Sequence, residues 1–258
     1  MTALRLLLPA DALVGDLEGD RDATVQTLAD LYAYPDPVPP GGWVRANMIS
    51  TLDGSATGPD SLSGSIGGPA DRAVFSAVRG VADVILAGAG TARAEGYRRP
   101  QAMAEFAERR ARDGQPPAPA LALITRTGAL PAGAVGPGSG YVVTSEDADL
   151  AALTAQVGAD RVIVAGRTEV DLAAAVAALA HRGMPRILLE GGPRVLGQAL
   201  AQGVVDELCL SLSPILVGGS GPRIAWGPPA HARLRAAHLL IADDMLIGRW
   251  FVVRPTAV

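Results

Sequence analysis

The sequence predicts an α/β protein whose mixed, mostly parallel sheet has helices on both faces and an antiparallel hairpin at its C-terminal end. Three observations lead there. From Trp43 onward short β-rich runs alternate with helical patterns, the order of a layered α/β architecture. The runs are apolar without interruption, as in Val84-Ile85-Leu86-Ala87 and Ile187-Leu188-Leu189, which suits strands buried on both faces. The chain then closes on two apolar runs, 239–242 and 245–253, around Asp243-Asp244, a hairpin pattern.

Taken in order, the pattern gives a strand at 43–50, a helix at 69–79 and strands at 84–87 and 121–125. A strand at 141–144, a helix at 149–157 and a strand at 161–165 follow. Then come a helix at 171–182, a strand at 186–190 and a helix at 193–202. Gly183 and Gly203 stop two of these helices. Residues 115–119 and 131–140 are rich in Pro and Gly and read as surface loops. Residues 1–40 read as an N-terminal extension. There Leu6-Leu7-Leu8 is cut short by Pro9 and Asp11, and a helix runs through Val25, Leu28 and Leu31. Pro35, Pro37, Pro39, Pro40 and Gly41-Gly42 then mark a boundary, leaving 41–258 as the main domain.

Composition narrows the chemistry. The 258 residues are 49% hydrophobic and 19% charged, with a net charge of −4, a composition that folds. Every basic residue is arginine, and the absence of lysine rules out a Walker-type phosphate loop and a lysine Schiff base. Scattered arginines under a negative net charge argue against a nucleic-acid partner. The single Cys209 makes no internal disulfide, and His181, His231 and His238 lack metal-ligand spacing, so no metal is expected. No apolar run approaches the ~18 residues of a membrane helix, and the expected setting is the cytoplasm.

In sheets of this kind ligands bind beyond the carboxyl ends of the strands, and three strand ends carry suggestive residues. Gly88-Ala89-Gly90-Thr91 offers close backbone approach and a hydroxyl, or else a plain capped turn. Glu190-Gly191-Gly192-Pro193 ends a buried strand in a carboxylate and opens a helix with no side chain over its N-terminus, an anion site or a simple glycine turn. Thr125-Arg126 places a guanidinium where it either pairs with a 2′-phosphate, selecting NADPH over NADH, or stands idle on the surface. Asp53-Gly54 reads as a turn. Arg72 and Arg79, seven residues apart, share one face of the 69–79 helix, as a phosphate clamp or as a salt-bridged solvent face.

These segments, together with Ser50-Thr51-Leu52-Asp53-Gly54, Leu86-Ala87-Gly88-Ala89-Gly90-Thr91, Val170-Asp171-Leu172, Leu188-Leu189-Glu190-Gly191-Gly192, Val204-Val205-Asp206-Glu207-Leu208 and Ser213-Pro214-Ile215-Leu216-Val217-Gly218-Gly219, resemble one family. It is the reductase domain of riboflavin biosynthesis, which reduces 5-amino-6-(5-phosphoribosylamino)uracil with NADPH in a dihydrofolate reductase-like fold. The resemblance spans about residues 43–253. It implies cofactor contacts at Ser65, Gly88, Gly90, Thr91, Glu95, Thr125, Arg126, Val170, Gly191, Gly192, Pro193 and Arg194. It implies substrate contacts at Asn47, Ser50, Ser63, Arg79, Arg98 or Arg99, and Glu190, with Ser63 and Arg79 on the sugar phosphate and Glu190 facing the ring. Glu190 is the expected catalytic carboxylate and Asp53 a second, weaker candidate. A homodimer is also implied. The zinc deaminase often joined to this family needs His, Glu and paired cysteines, which this chain lacks. The segment Glu95-Gly96-Tyr97-Arg98-Arg99-Pro100 departs from the family pattern, which keeps dihydrofolate as a rival substrate. Nucleotide binding without turnover is the non-enzymatic alternative.

Overall fold

The computed structural model describes residues 3–8, 12–16 and 21–254. The strands are β1 (Ala3–Leu8), β2 (Ala12–Asp16), β3 (Trp43–Thr51), β4 (Val84–Gly88), β5 (Ala120–Ile124), β6 (Tyr141–Thr144), β7 (Val162–Val164), β8 (Arg186–Leu189), β9 (Glu207–Ser213), β10 (Arg233–Ala242) and β11 (Met245–Val253). The helices are α1 (Arg21–Leu31), α2 (Pro69–Gly80), α3 (Ala89–Ala94), α4 (Ala107–Arg112), α5 (Leu150–Val157), α6 (Leu172–His181) and α7 (Pro193–Ala201). Among the described residues one sheet holds these strands in the order β2-β1-β10-β11-β9-β3-β8-β4-β5-β6-β7. From β9 to β7 neighbours run parallel, and from β9 to β2 they run antiparallel. The expected mixed sheet and terminal hairpin are therefore both present.

Local chemistry sets the helix ends. Asp149 and Asp171 cap α5 and α6, their carboxylates accepting from the Ala152 and Ala174 amides at 2.9 and 3.0 Å. α2 and α7 each begin on proline, where the missing N–H costs nothing. α2 buries Ala70, Val74, Ala77 and Val78, the 3.6-residue stripe of a helix seated on a sheet. Gly183 (φ 78°) and Gly203 (φ 67°) follow the ends of α6 and α7, as expected.

Several elements differ from the sequence reading. β10 begins at Arg233, six residues before the apolar run, because its first four residues pair with β11 while remaining exposed. β9 alternates buried and half-buried residues, and its polar Glu207 and Ser211 face the core side of the pleat, which hides its apolar period. The third difference is the extension. β1 pairs antiparallel with β10, and Leu4, Val25, Leu28, Ala29 and Tyr32 join the core formed by α2 and the sheet. The break expected at Pro9 and Asp11 lies outside the described residues.

At the turnover from parallel to antiparallel pairing lies a buried ionic cluster. Glu207 of β9 accepts from Nε of Arg45 on β3 through one oxygen, and from Nε of Arg249 on β11 at 2.7 Å through the other. Arg249 also donates to the carbonyls of Leu31 (2.7 Å), the last residue of α1, and Ala33 (3.0 Å) just after it. The Arg45 guanidinium lies 4.1 Å from the Tyr34 ring centroid, and the edge of His238 meets Tyr32 at 4.7 Å. Burial beside these residues pushes the Cys209 thiol up to about 12, which keeps it protonated and unreactive. No helix among the described residues is long and apolar enough to cross a membrane.

His238 makes this cluster sensitive to acid. Burial, and then the charges of Arg249 and Arg45, hold its pKa at about 4 against an ordinary 6.5, so the native imidazole is neutral. The unfolded chain takes up the proton first as pH falls. The stabilisation is whole above pH 6.5 and is lost as pH falls toward 4, amounting to about 3 kcal/mol at 1.36 kcal/mol per pH unit. Urea unfolding between pH 7 and 4 should show that decline, and His238→Gln should flatten it.

Candidate active site

The carboxyl ends of the parallel strands open onto two clefts that share a wall. The larger, about 1070 Å³, is lined by residues following β4 (Gly88, Ala89, Gly90, Thr91) and β5 (Thr125, Arg126, Thr127). Val170, the start of α7 (Gly192, Pro193, Arg194) and a segment reaching Trp226 complete it. The smaller, about 640 Å³, lies over Asn47, Met48 and Ile49 of β3, and its other walls include Asp71, Arg72, Phe75 and Arg79 of α2, residues 94–101, and Glu190. Thr91, Gly192, Pro193 and Pro222 line both.

The larger cleft has the chemistry of an anion seat. The first turn of α7 leaves the amides of Arg194 and Val195 without intrahelical acceptors, at the positive end of the helix dipole. The turn into it is tight. Gly191 has φ 75°, and its carbonyl accepts from the Gly88 amide at 2.7 Å, which ties the ends of β4 and β8 together. Gly192 keeps an ordinary φ of −67°, so its need for glycine is one of space: a Cβ there would stand 2.3 Å from Thr91 Oγ1. Thr125 is buried, with its hydroxyl accepting from the Gly128 amide at 3.1 Å, while Arg126 is exposed at the rim. The Arg194 guanidinium covers the Trp226 ring at 4.7 Å, giving the exposed indole a cationic lid. These features fit a phosphate-bearing dinucleotide.

The smaller cleft is organised around Glu190, 6% exposed. Arg79 donates from Nε and Nη2 to its two oxygens, both at 2.6 Å, and the Tyr97 hydroxyl donates to Oε2 at 2.6 Å. Arg79 in turn lies 4.1 Å from the Phe75 ring centroid and 5.3 Å from that of Tyr97. The bidentate pair fixes both side chains, and burial pushes the Tyr97 phenol well above its ordinary pKa, so Tyr97 donates rather than ionises.

Of the residues singled out in the sequence, Gly88, Gly90, Thr91, Thr125, Arg126, Val170, Gly192, Pro193 and Arg194 line the larger cleft. Asn47, Ser63, Arg79, Arg98, Arg99 and Glu190 line the smaller. Several are placed otherwise. Glu95 lies in the smaller cleft, its carboxylate accepting from the Ser63 amide at 2.8 Å, and not on the cofactor side. Ser65 is exposed and bonds to Asp60 and the Leu62 carbonyl, lining neither cleft. Ser50 is buried against the Thr51 carbonyl. Asp53 accepts from the Thr51 hydroxyl and from the Val217 and Gly218 amides at 3.1 and 2.6 Å. Those bonds, led by Thr51, lower its pKa and make it a loop clamp outside both clefts. Gly191 shapes the turn without lining either cleft. Arg79 is committed to Glu190, so its guanidinium is neither an open phosphate clamp nor part of a solvent face. Sequence reasoning passed over Tyr97, Asp71 and Trp226 as site residues. Tyr97 and Trp226 each follow a strand end through a long connection, which is the one signal that marks them.

Fold and clefts together define an α/β protein with two adjoining clefts at the carboxyl ends of its parallel strands. The chain belongs to the RibD C-terminal domain family, whose model matches residues 42–246. It is 26% identical over 186 residues, 69% of this chain and 82% of the relative, to the 2,5-diamino-6-ribosylamino-4(3H)-pyrimidinone 5′-phosphate reductase of Archaeoglobus fulgidus. A solved pyrimidine reductase-like protein from Corynebacterium diphtheriae superposes with a TM-score of 0.74 at 28% identity, covering 88% of this chain and 99% of that one. Acinetobacter baumannii RibD shares the fold, with a TM-score of 0.65 at 18% identity over 83% of this chain and 59% of that one.

The wall shared by the clefts gives a direct test. Gly192→Val should displace Thr91 and weaken dinucleotide binding about tenfold or more while circular dichroism remains that of the parent. Undiminished binding in a calorimetric titration would make the α7 N-terminus a turn and nothing more.

Proposed function

We propose that the chain is an NADPH-dependent reductase of a ribosylaminopyrimidine 5′-phosphate. The substrate is 2,5-diamino-6-ribosylamino-4(3H)-pyrimidinone 5′-phosphate, the compound named for the Archaeoglobus fulgidus relative, or its uracil counterpart 5-amino-6-(5-phosphoribosylamino)uracil. The observation that carries the reading is the pair of clefts meeting at Thr91, Gly192, Pro193 and Pro222, which lets a dinucleotide and a small heterocycle touch across one wall. A bound nicotinamide supplies hydride to an electrophilic carbon of the substrate.

The chain's own part is binding and alignment. The Gly191-Gly192 turn, Thr91 beside it and the α7 amides receive the diphosphate, and Arg126 receives the adenosine 2′-phosphate. In the smaller cleft, Glu190, fixed by Arg79 and Tyr97, faces the ring, while Arg72, Arg98 and Arg99 supply positive charge for the sugar phosphate. Those same arginines suit the carboxylates of a folate tail, which favours dihydrofolate as the second reading.

Nicotinamide absorbance, followed with NADPH and each pyrimidine or dihydrofolate, separates these substrates, and a protein that binds NADPH but oxidises it with none of them is a nucleotide-binding module. Arg126→Ala should cost about 1.5 to 3 kcal/mol of NADPH binding and leave NADH binding unchanged. Equal affinity of the parent protein for both dinucleotides would overturn the assignment of Arg126. Glu190→Gln should lower turnover by about 10²-fold or more, the scale of electrostatic assistance.

A further inference from the structure

The smaller cleft contains a second carboxyl group in surroundings opposite to those of Glu190. Asp71 lies in the first turn of α2 and lines the cleft. Its Oδ1 accepts from the Ser211 hydroxyl of β9 at 2.7 Å, and its Oδ2 lies 3.0 Å from where a Cβ on Gly67 would stand, so the missing side chain there makes room for it. β3 runs between β8 and β9, with Ile49 opposite Ser211 and Ala46 opposite Leu189. Glu190 and Asp71 therefore flank the β3 residues Asn47, Met48 and Ile49 that form the base of the cleft.

Glu190 is ion-paired with Arg79 and holds three hydrogen bonds from Arg79 and Tyr97, which fix its place. Asp71 has one neutral hydroxyl donor. The charge acting on it is that of Arg72 on its own helix, an exposed side chain. The other charged groups of the cleft are Arg79 and Glu190, which neutralise each other, together with Glu95, Arg98 and Arg99. Burial, partly offset by Ser211 and Arg72, raises the Asp71 pKa. Two carboxyl groups in one cavity, one paired with a guanidinium and the other met by a single neutral hydroxyl, are suited to different work.

We infer that Asp71 is the proton donor of the reduction and that Glu190 is the fixed anion that positions the ring. The inference rests on the reductase reading. Reduction of a C=N bond adds hydride at carbon, and the π pair moves to nitrogen, which takes a proton. The hydride comes from the reduced dinucleotide. The proton comes from the Asp71 carboxyl, and the carboxylate left behind recovers one from water at the cleft mouth. The balance is the same for the imine of an opened ribosylamine and for the C=N bond of a dihydropterin.

Asp71→Asn keeps the shape and the acceptor for Ser211 but has no proton to give. Turnover should fall about 10²- to 10⁴-fold with dinucleotide affinity unchanged. The loss of parental activity as pH rises through the Asp71 pKa should be absent from the variant, the shared substrate controlling for its own protonation. Ser211→Ala removes the bond that favours the carboxylate and should move that alkaline limb to higher pH. Independently of activity, difference infrared spectra of the ligand-free parent and Asp71→Asn proteins should show a protonated carboxyl that persists above the ordinary aspartate value of 3.8. A carboxyl that ionises at or below that value, an alkaline limb unmoved by Ser211→Ala, or an Asp71→Asn protein with parental rate and pH profile overturns the assignment. A parent protein that binds NADPH but reduces no C=N substrate overturns the reductase reading instead, and the donor role with it.

Discussion

The whole arrangement hangs on one buried carboxylate. Glu207 sits where the sheet changes from parallel to antiparallel pairing, and its two oxygens hold arginines from the strands on either side, Arg45 on β3 and Arg249 on β11. Removing Glu207 would strand two guanidinium charges in the core, at about 3 to 5 kcal/mol for breaking a buried pair of this kind. The pairing therefore admits one register of three strands and little else. Because Arg249 also binds the carbonyls at Leu31 and Ala33, the N-terminal segment is drawn into the same arrangement. β1 then extends the sheet beyond β10, and α1 contributes to the core. The family model begins at residue 42, yet the residues before it complete the packing around this cluster.

With β3 fixed between β8 and β9, the clefts follow from chain direction. Parallel strands deliver their carboxyl ends to one edge, and each delivers a different kind of group: glycines and a threonine from β4, a threonine and an arginine from β5, a carboxylate from β8. The backbone bond between Gly88 and Gly191 brings two of those ends together, so that Thr91 meets Gly192 and one wall serves two cavities. Electrostatics then separates the cavities by role. Unpaired helix amides and a rim arginine give the larger one a positive character, whereas the smaller one has its central charge already neutralised by Arg79.

Much of this was legible in the sequence because it is local. Apolar runs between Gly and Pro punctuation marked the parallel strands and their helices to within a few residues, and strand ends rich in glycine marked the larger cleft. What escaped depends on partners distant in the chain. Glu207 and Ser211 interrupt the apolar pattern of β9, and their purpose appears only when Arg45, Arg249 and Asp71 are adjacent. Arg79 reads as part of a phosphate clamp or of a salt-bridged solvent face, and its partner Glu190 lies 111 residues away in the chain. Asp53 reads as a turn residue and only secondarily as a catalytic candidate, and its neighbours in space include amides that need an acceptor. Residues 1–40 looked separate because prolines follow them, a signal about chain direction that says nothing of which edge the segment joins.

The common wall of the two clefts bears on how such a protein can change its diet over evolutionary time. Thr91, Gly192, Pro193 and Pro222 line both clefts, so a mutation there is a double bet, altering the larger cleft whenever it reshapes the smaller. The far lining has no such tie. Arg72, Arg98 and Arg99 line the smaller of the two clefts alone, and drift at those positions can retune what enters while the larger cleft stays untouched. Diversity among relatives of this fold should accordingly gather on that side, with the shared wall as the part lineages keep.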